Sequence, residues 1–487
     1  MPKEERKEDD IGITVKKDED MSEWYQQVVI KSELADYSAV SGCIIFRPNS
    51  YELWENIQKV FNAKIKKTGH KNCYFPLFIP ESLLVKESKH VEGFTPEVAW
   101  VTHAGNTPLN EKLAIRPTSE TIMYASYAQW IRSWRDLPLL LNQWNNVVRW
   151  EFKHAKPFLR TREFLWQEGH TAHATKGQAD EEVMQQLFEY VDLVENYMAI
   201  ALLSGKKTER EKFAGADYTT TIEAVMPDGK ALQMGTSHQL GQNFAKAFDI
   251  KFIDQDEQTK HVWQTSWGLS TRTIGAMVLM HGDDNGLVLP PQLAPTQVIV
   301  VPIIFKDSKD AVLKKTEELC VALRERGIRA EMDIREEYSA GWKFNHWELR
   351  GVPVRIEIGP RDMKGNQCVV VKRNTHEKKT LPLGTIEESI VELLAKIQDE
   401  MLHRSKSILK GSIVAVKDMS GLKQAIADKK LAKAQFCCDV ECEDAVKAES
   451  DGATSRCLPF EEQRNVAGKC VRCGKESKGV AIFGKAY

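Results

Sequence analysis

The chain has 487 residues, 42% hydrophobic and 28% charged, with a formal net charge of -2 at pH 7. That composition fits a globular protein of roughly three domains and excludes a mainly disordered chain. The near-zero charge also excludes an overall basic field for holding nucleic acid, so any RNA contact has to come from local basic surface.

Residues 1–20 are charged and without hydrophobic period, which predicts a flexible N-terminal arm. The stretch Met1 to Asp10 has no apolar core and no small-residue cleavage site, and its acidic residues argue against a transit peptide. No run approaches the roughly 18 apolar residues of a membrane span. The expectation is a cytoplasmic protein with no membrane partner.

From Tyr51 onward, Leu53, Trp54, Ile57, Val60, Phe61 and Ile65 recur at helical spacing, and Gly69 closes the helix. Cys73 to Ile79 reads as a strand broken by Pro76. Residues 139–170 read as two strands around a basic loop, and 180–203 as an amphipathic helix. Tyr218–Val225 predicts a strand, followed by a turn and a helix after Ser237. Past Pro290-Pro291 the pattern alternates: strand Val298–Phe305, helix Lys309–Arg326, strands Ile328–Ile334, Val352–Ile358 and Gln367–Lys372, then a helix near Ile386–Leu402. This is the grammar of a small α/β domain with a mixed sheet. The expected organisation is an α/β and α+β multidomain chain: the arm, a domain over 21–290, a second over 291–403 and a third over 404–487.

Period two puts Arg149 and Glu151 on one face of Val147-Val148-Arg149-Trp150-Glu151. The loop after it carries Lys153, His154, Lys156, Arg160 and Arg162. On the return strand Phe164, Trp166, Glu168 and His170 share a face. Two paired strands would gather cations, carboxylates, aromatic rings and an imidazole on one side. Unpaired charges of that kind are costly in a merely structural face. A solvated sheet face with cross-strand ion pairs is the plainer alternative.

These residues resemble motif 2 of the class II aminoacyl-tRNA synthetases: Arg149-x-Glu151, the basic loop, and Arg160-Thr161-Arg162-Glu163-Phe164. Gly69 to Pro76 after its helix resembles motif 1, the dimer-forming element. Gly268-Leu269-Ser270-Thr271-Arg272-Thr273-Ile274-Gly275 resembles motif 3. Three further strings are similar to the prolyl branch of archaeal and eukaryotic type: Arg116-Pro117-Thr118-Ser119-Glu120-Thr121, Phe158 to His170, and Gly235-Thr236-Ser237-His238. The threonyl relatives take a zinc-binding cysteine from the loop that reads Thr118-Ser119-Glu120 here, and no cysteine lies between Tyr74 and Leu319. A regulatory relative without activity would be expected to lack Arg149, Arg160 or Arg272.

The resemblance implies a class II antiparallel-sheet catalytic domain, an α/β anticodon-binding domain and a small C-terminal α+β zinc-type domain. It implies L-proline, ATP with Mg²⁺, and tRNA(Pro) as partners, and a homodimer. Thr118 and Glu120 would accept from the proline nitrogen, and Arg149 would hold the carboxylate and then the α-phosphate. Trp166, Glu168, His170, Phe94, Thr236 and His238 would line the ring pocket. Phe164 would stack on adenine, with Glu151 on its amino group. Arg160 and Arg272 would take the γ-phosphate or the outer face of adenine, and Gln233 and Thr271 polar contacts. Arginine suits phosphate because its planar fork stays charged and binds bidentately. Met234 stands where the family usually has a glycine, and it either points away from the pocket or narrows its wall. The interval from Glu151 to Arg272 has no room for the editing insertion of bacterial-type relatives, which implies a separate protein for clearing mischarged alanine.

In the second domain, the string from Gly341 to Asp362 resembles the class IIa anticodon-binding domain. Glu348, Arg355, Arg361 and Asp362 are the implied readers of the two shared guanines, whose edges suit arginine donors and carboxylate acceptors. Singly, each fits a surface ion pair equally well. Cys437-x4-Cys442 with Cys470-x2-Cys473 forms a plausible structural Zn²⁺ set, with Cys438 and Cys457 as spare thiols. The family pattern favours Cys437 over Cys438. The terminal Tyr487 is implied to tuck near the active site.

Overall fold

The computed structural model describes residues 12–88, 97–151 and 155–487. Phe94 and the loop residues Lys153 and His154 therefore lie outside the described residues.

Helix α1 spans Met21–Lys31, capped by the Asp20 carboxylate, which accepts from the Ser22 and Glu23 amides. Helix α2 spans Pro48–Lys67, with proline in its first turn, and buries Leu53, Trp54, Ile57, Phe61 and Ile65 at the expected spacing. Gly69, at φ +92°, turns the chain into the short strand β1, Lys71–Asn72. The predicted strand Cys73–Ile79 is absent as such, and pairing resumes only at Phe78–Pro80. Pro76 removes a donor where a continuous ladder would need one. Helix α3, Glu120–Trp130, follows the Thr118-Ser119 loop.

The two strands flanking the basic loop are β2, Leu139–Val148, and β3, Glu163–His173, antiparallel from Leu139↔Ala172 to Val148↔Glu163. Helix α4, Lys176–Asp192, begins at a Thr175–Gln178 capping box. Strands β4, Leu202–Lys206, β5, Tyr218–Val225, β6, Ala231–Gly241, and β7, Trp263–Ser270, complete this domain's sheet, and helix α5, Arg272–His281, follows it. The helix expected after Ser237 is instead the second half of β6. There Ser237 and His238 pair with both β5 and β7, and two-sided pairing overrides local propensity. A helix forms only from Asn243 to Phe248.

Helices α2 and α4 cover one face of the sheet, where Phe61 stacks on Tyr190 at 5.1 Å and meets the edge of Trp267 at 6.4 Å. Gly169 makes room for Trp267, since a Cβ there would lie 2.1 Å from the indole. On the other face, α3 and the helix Asn243–Phe248 cover one end through Tyr124, Tyr127 and Phe244, and the rest stays open.

The charged stretch expected as a flexible arm is fixed from Gly12 onward. The Lys17 amide donates to Asp284 Oδ1 at 2.8 Å, its ammonium to the Gly282 carbonyl at 2.7 Å, and its Nζ lies 4.6 Å from the Trp24 ring centroid.

The second domain has a five-stranded mixed sheet among the described residues. Strand β8, Val298–Pro302, runs parallel to β9, Ala330–Met332, and to β10, Val354–Ile358. Strands β11, Gln367–Lys372, and β12, Lys378–Pro382, continue it antiparallel. Helices α6, Lys309–Glu325, α7, Ala340–Leu349, and α8, Ile386–Gly411, pack around it. The domain boundary expected at residue 403 falls inside α8. Its apolar row of Ile386, Ile390, Leu394, Ile397 and Met401 continues to the buried Ser405, so the helix bridges two domains without a break.

The last domain adds β13, Ile413–Ala415, β14, Leu431–Phe436, helix α9, Val440–Glu449, β15, Thr454–Pro459, and β16, Gly479–Gly484. Strand β15 pairs antiparallel with β4, Leu458 opposite Lys206 and Pro459 opposite Gly205. Among the described residues this joins eleven strands into one sheet, in the order β13-β14-β16-β15-β4-β5-β6-β7-β3-β2-β1. Gly205 permits the join, because a Cβ there would sit 2.4 Å from the Leu458 carbonyl oxygen.

Candidate active site

The open face of the sheet carries a cleft of about 290 Å³. It gathers Thr118, Glu120, Arg149, Phe164, Trp166, Glu168, His170, Gln233, Thr236, His238 and Arg272. The alternation Phe164, Trp166, Glu168, His170 thus faces one cavity, as the strand period requires.

At one end the carboxylate of Glu168 is buried and fully engaged. It accepts from the Ser119 amide at 3.1 Å, Asn145 Nδ2 at 2.6 Å, Gln143 Nε2 at 3.3 Å and the Ser119 hydroxyl. His170 Nε2 lies 3.1 Å from it, and Tyr124 OH lies 3.1 Å from His170 Nδ1. Burial alone would raise the Glu168 pKa, but the bonds from His170, Ser119 and Asn145 hold it below the usual carboxylate range. The His170 pKa is raised by Glu168 and Glu120 against the opposing effect of burial. Each partner thus favours the charged form of the other. The Thr118 hydroxyl donates to Glu120.

His238 closes this end, with Thr219 Oγ1 2.9 Å from its Nδ1 and Thr236 Oγ1 3.0 Å from its Nε2. Burial lowers its pKa to about 3, so the ring is neutral. The Phe213 ring packs 4.7 Å from it.

At the other end the Arg149 guanidinium lies 5.4 Å from the Phe164 ring and 5.5 Å from Trp166, its Nε donating to the Pro117 carbonyl at 3.1 Å. Arg272 Nε donates to the Leu159 carbonyl at 3.2 Å. Burial, with Arg149 nearby, lowers the Arg272 pKa to about 10. Both stay cationic at neutral pH.

A β-bulge decides which residue of Gln233-Met234 faces the cleft. Ile222 pairs with Gly235 and Glu223 with Gln233, leaving Met234 opposite no residue of β5. Gln233 thereby takes the cleft-facing place in the row with Thr236 and His238. Met234, which borders the cleft, buries its side chain in the core at 2% exposure.

Other expected site residues lie elsewhere. Thr271 is buried outside the lining, its hydroxyl donating to the Leu165 carbonyl at 3.2 Å. Strand β2 ends at Val148, so Glu151 stands exposed in the turn beyond it. Arg160 is exposed near the loop's base, where its amide donates to the Lys156 carbonyl at 2.9 Å. Phe94 is outside the described residues. The lining also holds Lys207, Glu211, Phe213 and Thr219, which sequence reasoning missed. Lys207, Glu211 and Phe213 fall between regular elements, where no period gives their side a signal, and Thr219 is on β5 opposite His238.

In the second domain, Arg355 lies 3.9 Å from Glu348 and 3.0 Å from Glu357, with Phe344 4.2 Å beneath its guanidinium. Glu348 and Arg355 share a small depression with Trp347, Arg373 and His376. Asp362 accepts from the Gly359 amide at 2.9 Å, and Arg361 is exposed on the same turn, Pro360–Lys364.

Cys437, Cys442, Cys470 and Cys473 bring their sulfurs within 4.8 Å of one another, with 3.8 Å between Cys442 and Cys470 and 3.7 Å between Cys437 and Cys473. A tetrahedron with Zn–S near 2.3 Å has edges of about 3.8 Å, so the set fits Zn²⁺. Burial raises the Cys437 thiol to about 12. For Cys470, burial also acts to raise the pKa, but backbone amides of Cys473, Arg472 and Cys437 bring it to about 7. Cys457 is buried on β15 outside this set. Tyr487 packs by the basic loop, 5.4 Å from Lys156 Nζ, its hydroxyl donating to Asp228 at 2.8 Å.

Three family models match the chain. They are the class II tRNA synthetase core domain for G, H, P, S and T over residues 100–281, an anticodon-binding domain over 297–393, and the prolyl-tRNA synthetase C-terminal domain over 419–487. Proline–tRNA ligase 2 of Clostridioides difficile (strain 630) is 50% identical over 473 residues, 97% of each chain. The proline–tRNA ligase of Alkaliphilus oremlandii (strain OhILAs) is 51% identical over 469 residues, 96% of each chain. That of Cenarchaeum symbiosum (strain A) is 49% identical over 478 residues, 98% of this chain and all of its own.

Proposed function

The chain belongs to the prolyl-tRNA synthetase family, and on that premise we propose how its residues divide the work of activating L-proline with ATP and passing it to the 3′ end of tRNA(Pro). One observation supports the division most: a single cleft holds the hydrogen-bonded Glu168–His170 pair with Glu120 at one end and two half-buried arginines at the other, Arg149 beside the Phe164 and Trp166 rings.

Proline is a rigid apolar ring with a cationic secondary amine and a carboxylate. Trp166, His238, Thr236 and Phe213 form walls of the right character for the ring. Glu120 and Thr118 accept from the ammonium. Glu168 supports this end from below, because its oxygens are already occupied by Ser119, Asn145 and His170. Arg149 bridges the carboxylate and the α-phosphate, and Phe164 stacks on adenine. Gln233 and Arg272 take the outer nucleotide contacts. Glu151 and Arg160, exposed beyond the strand ends, reach the nucleotide only if the loop folds inward on binding. Thr271 steadies the start of α5 through Leu165.

The proline carboxylate attacks the α-phosphorus in line, the bond to the bridging oxygen breaks, and pyrophosphate leaves. No protein nucleophile is required, so catalysis is positioning and charge stabilisation. Mg²⁺ belongs with the ATP phosphates, where it offsets their charge. The carboxylates of Glu120 and Glu168 are held by protein donors. Positioning on tRNA(Pro) falls to Glu348 and Arg355, with Arg361 and Asp362 beside them. The four-cysteine set holds a structural Zn²⁺. Exposed Tyr74 and Phe78, which follow α2 in the chain, suit a homodimer contact.

A proline pocket cannot sterically refuse alanine, and a missing methylene is worth only about 1–3 kcal/mol. Strands β3 to β7 and α4 fill the interval where an editing insertion would stand. The purified enzyme is expected to activate alanine weakly and to leave alanyl-tRNA(Pro) intact, with clearance by a separate protein. Hydrolysis of that ester by the enzyme alone would refute this. For the activation site, proline-dependent ATP–pyrophosphate exchange without tRNA is the test.

A further inference from the structure

The last domain reaches the cleft through a buried line of charge. Lys207, in the lining, has a side chain only 3% exposed. Its ammonium donates to Glu223 Oε1 at 2.7 Å and to the backbone carbonyl of Arg456 at 2.8 Å. Glu223 is fully buried on β5, and its Oε1 also accepts from Thr221 at 3.0 Å. Its other oxygen accepts from Arg456 Nη2 at 3.2 Å and Nε at 3.4 Å. Arg456 is on β15, in the domain of the four-cysteine set, and Thr454 accepts from its Nη1 at 2.9 Å. Beside this line, the Thr208 hydroxyl donates to Glu443 of α9 at 3.1 Å.

Two cations share one carboxylate here, away from water. Buried ion pairs rarely stabilise a fold more than apolar residues of similar size. Docking through β15 and β4 does not by itself call for them. The line ends at the cleft surface, where one positive charge remains uncompensated within the triad. Of the three ammonium donors of Lys207, two are engaged by Glu223 and the Arg456 carbonyl.

We propose that the C-terminal domain supports the wall of the catalytic cleft from behind, with Arg456 as a positioning residue that fixes the Lys207 ammonium through Glu223 to receive a substrate phosphate. That phosphate belongs either to ATP or to the acceptor end of the tRNA, and both present the same anionic oxygens. The inference rests on the cleft being the activation site. Wild-type exchange tests that reading, and variants measured against wild type test the wall.

The experiment uses the full chain with Lys207→Met, Arg456→Met, Arg456→Lys and, as a matched control, Val446→Ala in the core of the last domain. Exchange and tRNA charging are both measured, with melting curves. Lys207→Met leaves Glu223 paired with Arg456 and is the decisive variant. It should lose about 10- to 100-fold in kcat/KM, the scale of a displaced contact group. A raised KM for ATP in exchange assigns the phosphate to ATP, and loss confined to charging with a raised KM for tRNA assigns it to the acceptor end. Arg456→Met should show the same kinetic change, and Arg456→Lys should restore most of it. Val446→Ala should lower the melting temperature with kcat/KM unchanged. Wild-type constants for Lys207→Met in both assays would overturn the proposal, as would Arg456→Met matching Val446→Ala in every readout.

Discussion

The catalytic cleft and the proposed anticodon surface use the same side chains, arginine, glutamate and aromatic rings, on different supports. In the cleft they stand on paired strands, and their polar atoms are engaged from behind: Glu168 by Ser119, Asn145 and His170, Arg149 by the Pro117 carbonyl. Around Arg355 they stand on a helix and a strand end beside a shallow depression, and Arg361 is exposed. The first arrangement fixes geometry before substrate arrives, as in-line transfer requires. The second holds Arg355 by Glu357 and the Phe344 ring at the border of a small depression and leaves Arg361 on the surface.

Arg149→Ala should break the fixed region most severely. Proline-dependent exchange is expected to fall about 10³-fold, the scale of losing a charge-stabilising donor in a closed site, with circular dichroism unchanged. A loss below tenfold would mean that Arg149 is not the phosphate clamp. Arg355→Ala should sharpen the contrast from the other side. Charging of tRNA(Pro) should fall about 10- to 100-fold, the scale of one guanine contact, while exchange stays at the wild-type rate. Equal losses in both assays would remove Arg355 from base reading.

Smaller effects concern stability. Purified protein is expected to contain one zinc per chain, and Cys470→Ser or chelation should lower the melting temperature by several degrees. A folded sample without zinc would contradict the metal assignment. The smallest expected effect is in pH dependence. Folding raises the His170 pKa, so its contribution is fully present below the unfolded value of about 6.5 and is lost as pH climbs through the folded one. Glu168, lowered on folding, contributes above its unfolded value of about 4.3 and loses that contribution as pH falls through the folded one. His170→Gln should therefore flatten the decline in melting temperature on the alkaline side, and an unchanged profile would count against the ion pair.

The same contrast governs what was legible in the sequence. Strand period placed Phe164, Trp166, Glu168 and His170 on one face, and the structure gives them one cavity. Resemblance of whole strings supplied Thr118, Glu120 and His238, which no period singles out. The bulge that turns Gln233 inward and Met234 into the core is a register event between strands, invisible in either strand alone. Lys207 and Phe213 reach the cleft from irregular backbone, and the partners of Lys207 come from distant β5 and β15. The second half of β6 reads as helix in the sequence because its pairing on both sides is a tertiary fact. The cysteine grouping was legible because the two short spacings each keep a pair together, and the four sulfurs lie within 4.8 Å of one another.

The most direct test is ATP–pyrophosphate exchange with each of the twenty amino acids, on purified protein without tRNA. Strong exchange with proline, with alanine or cysteine a distant second, is the expected result. Exchange with no amino acid, or a clear preference for another one, would contradict the assignment of the cleft.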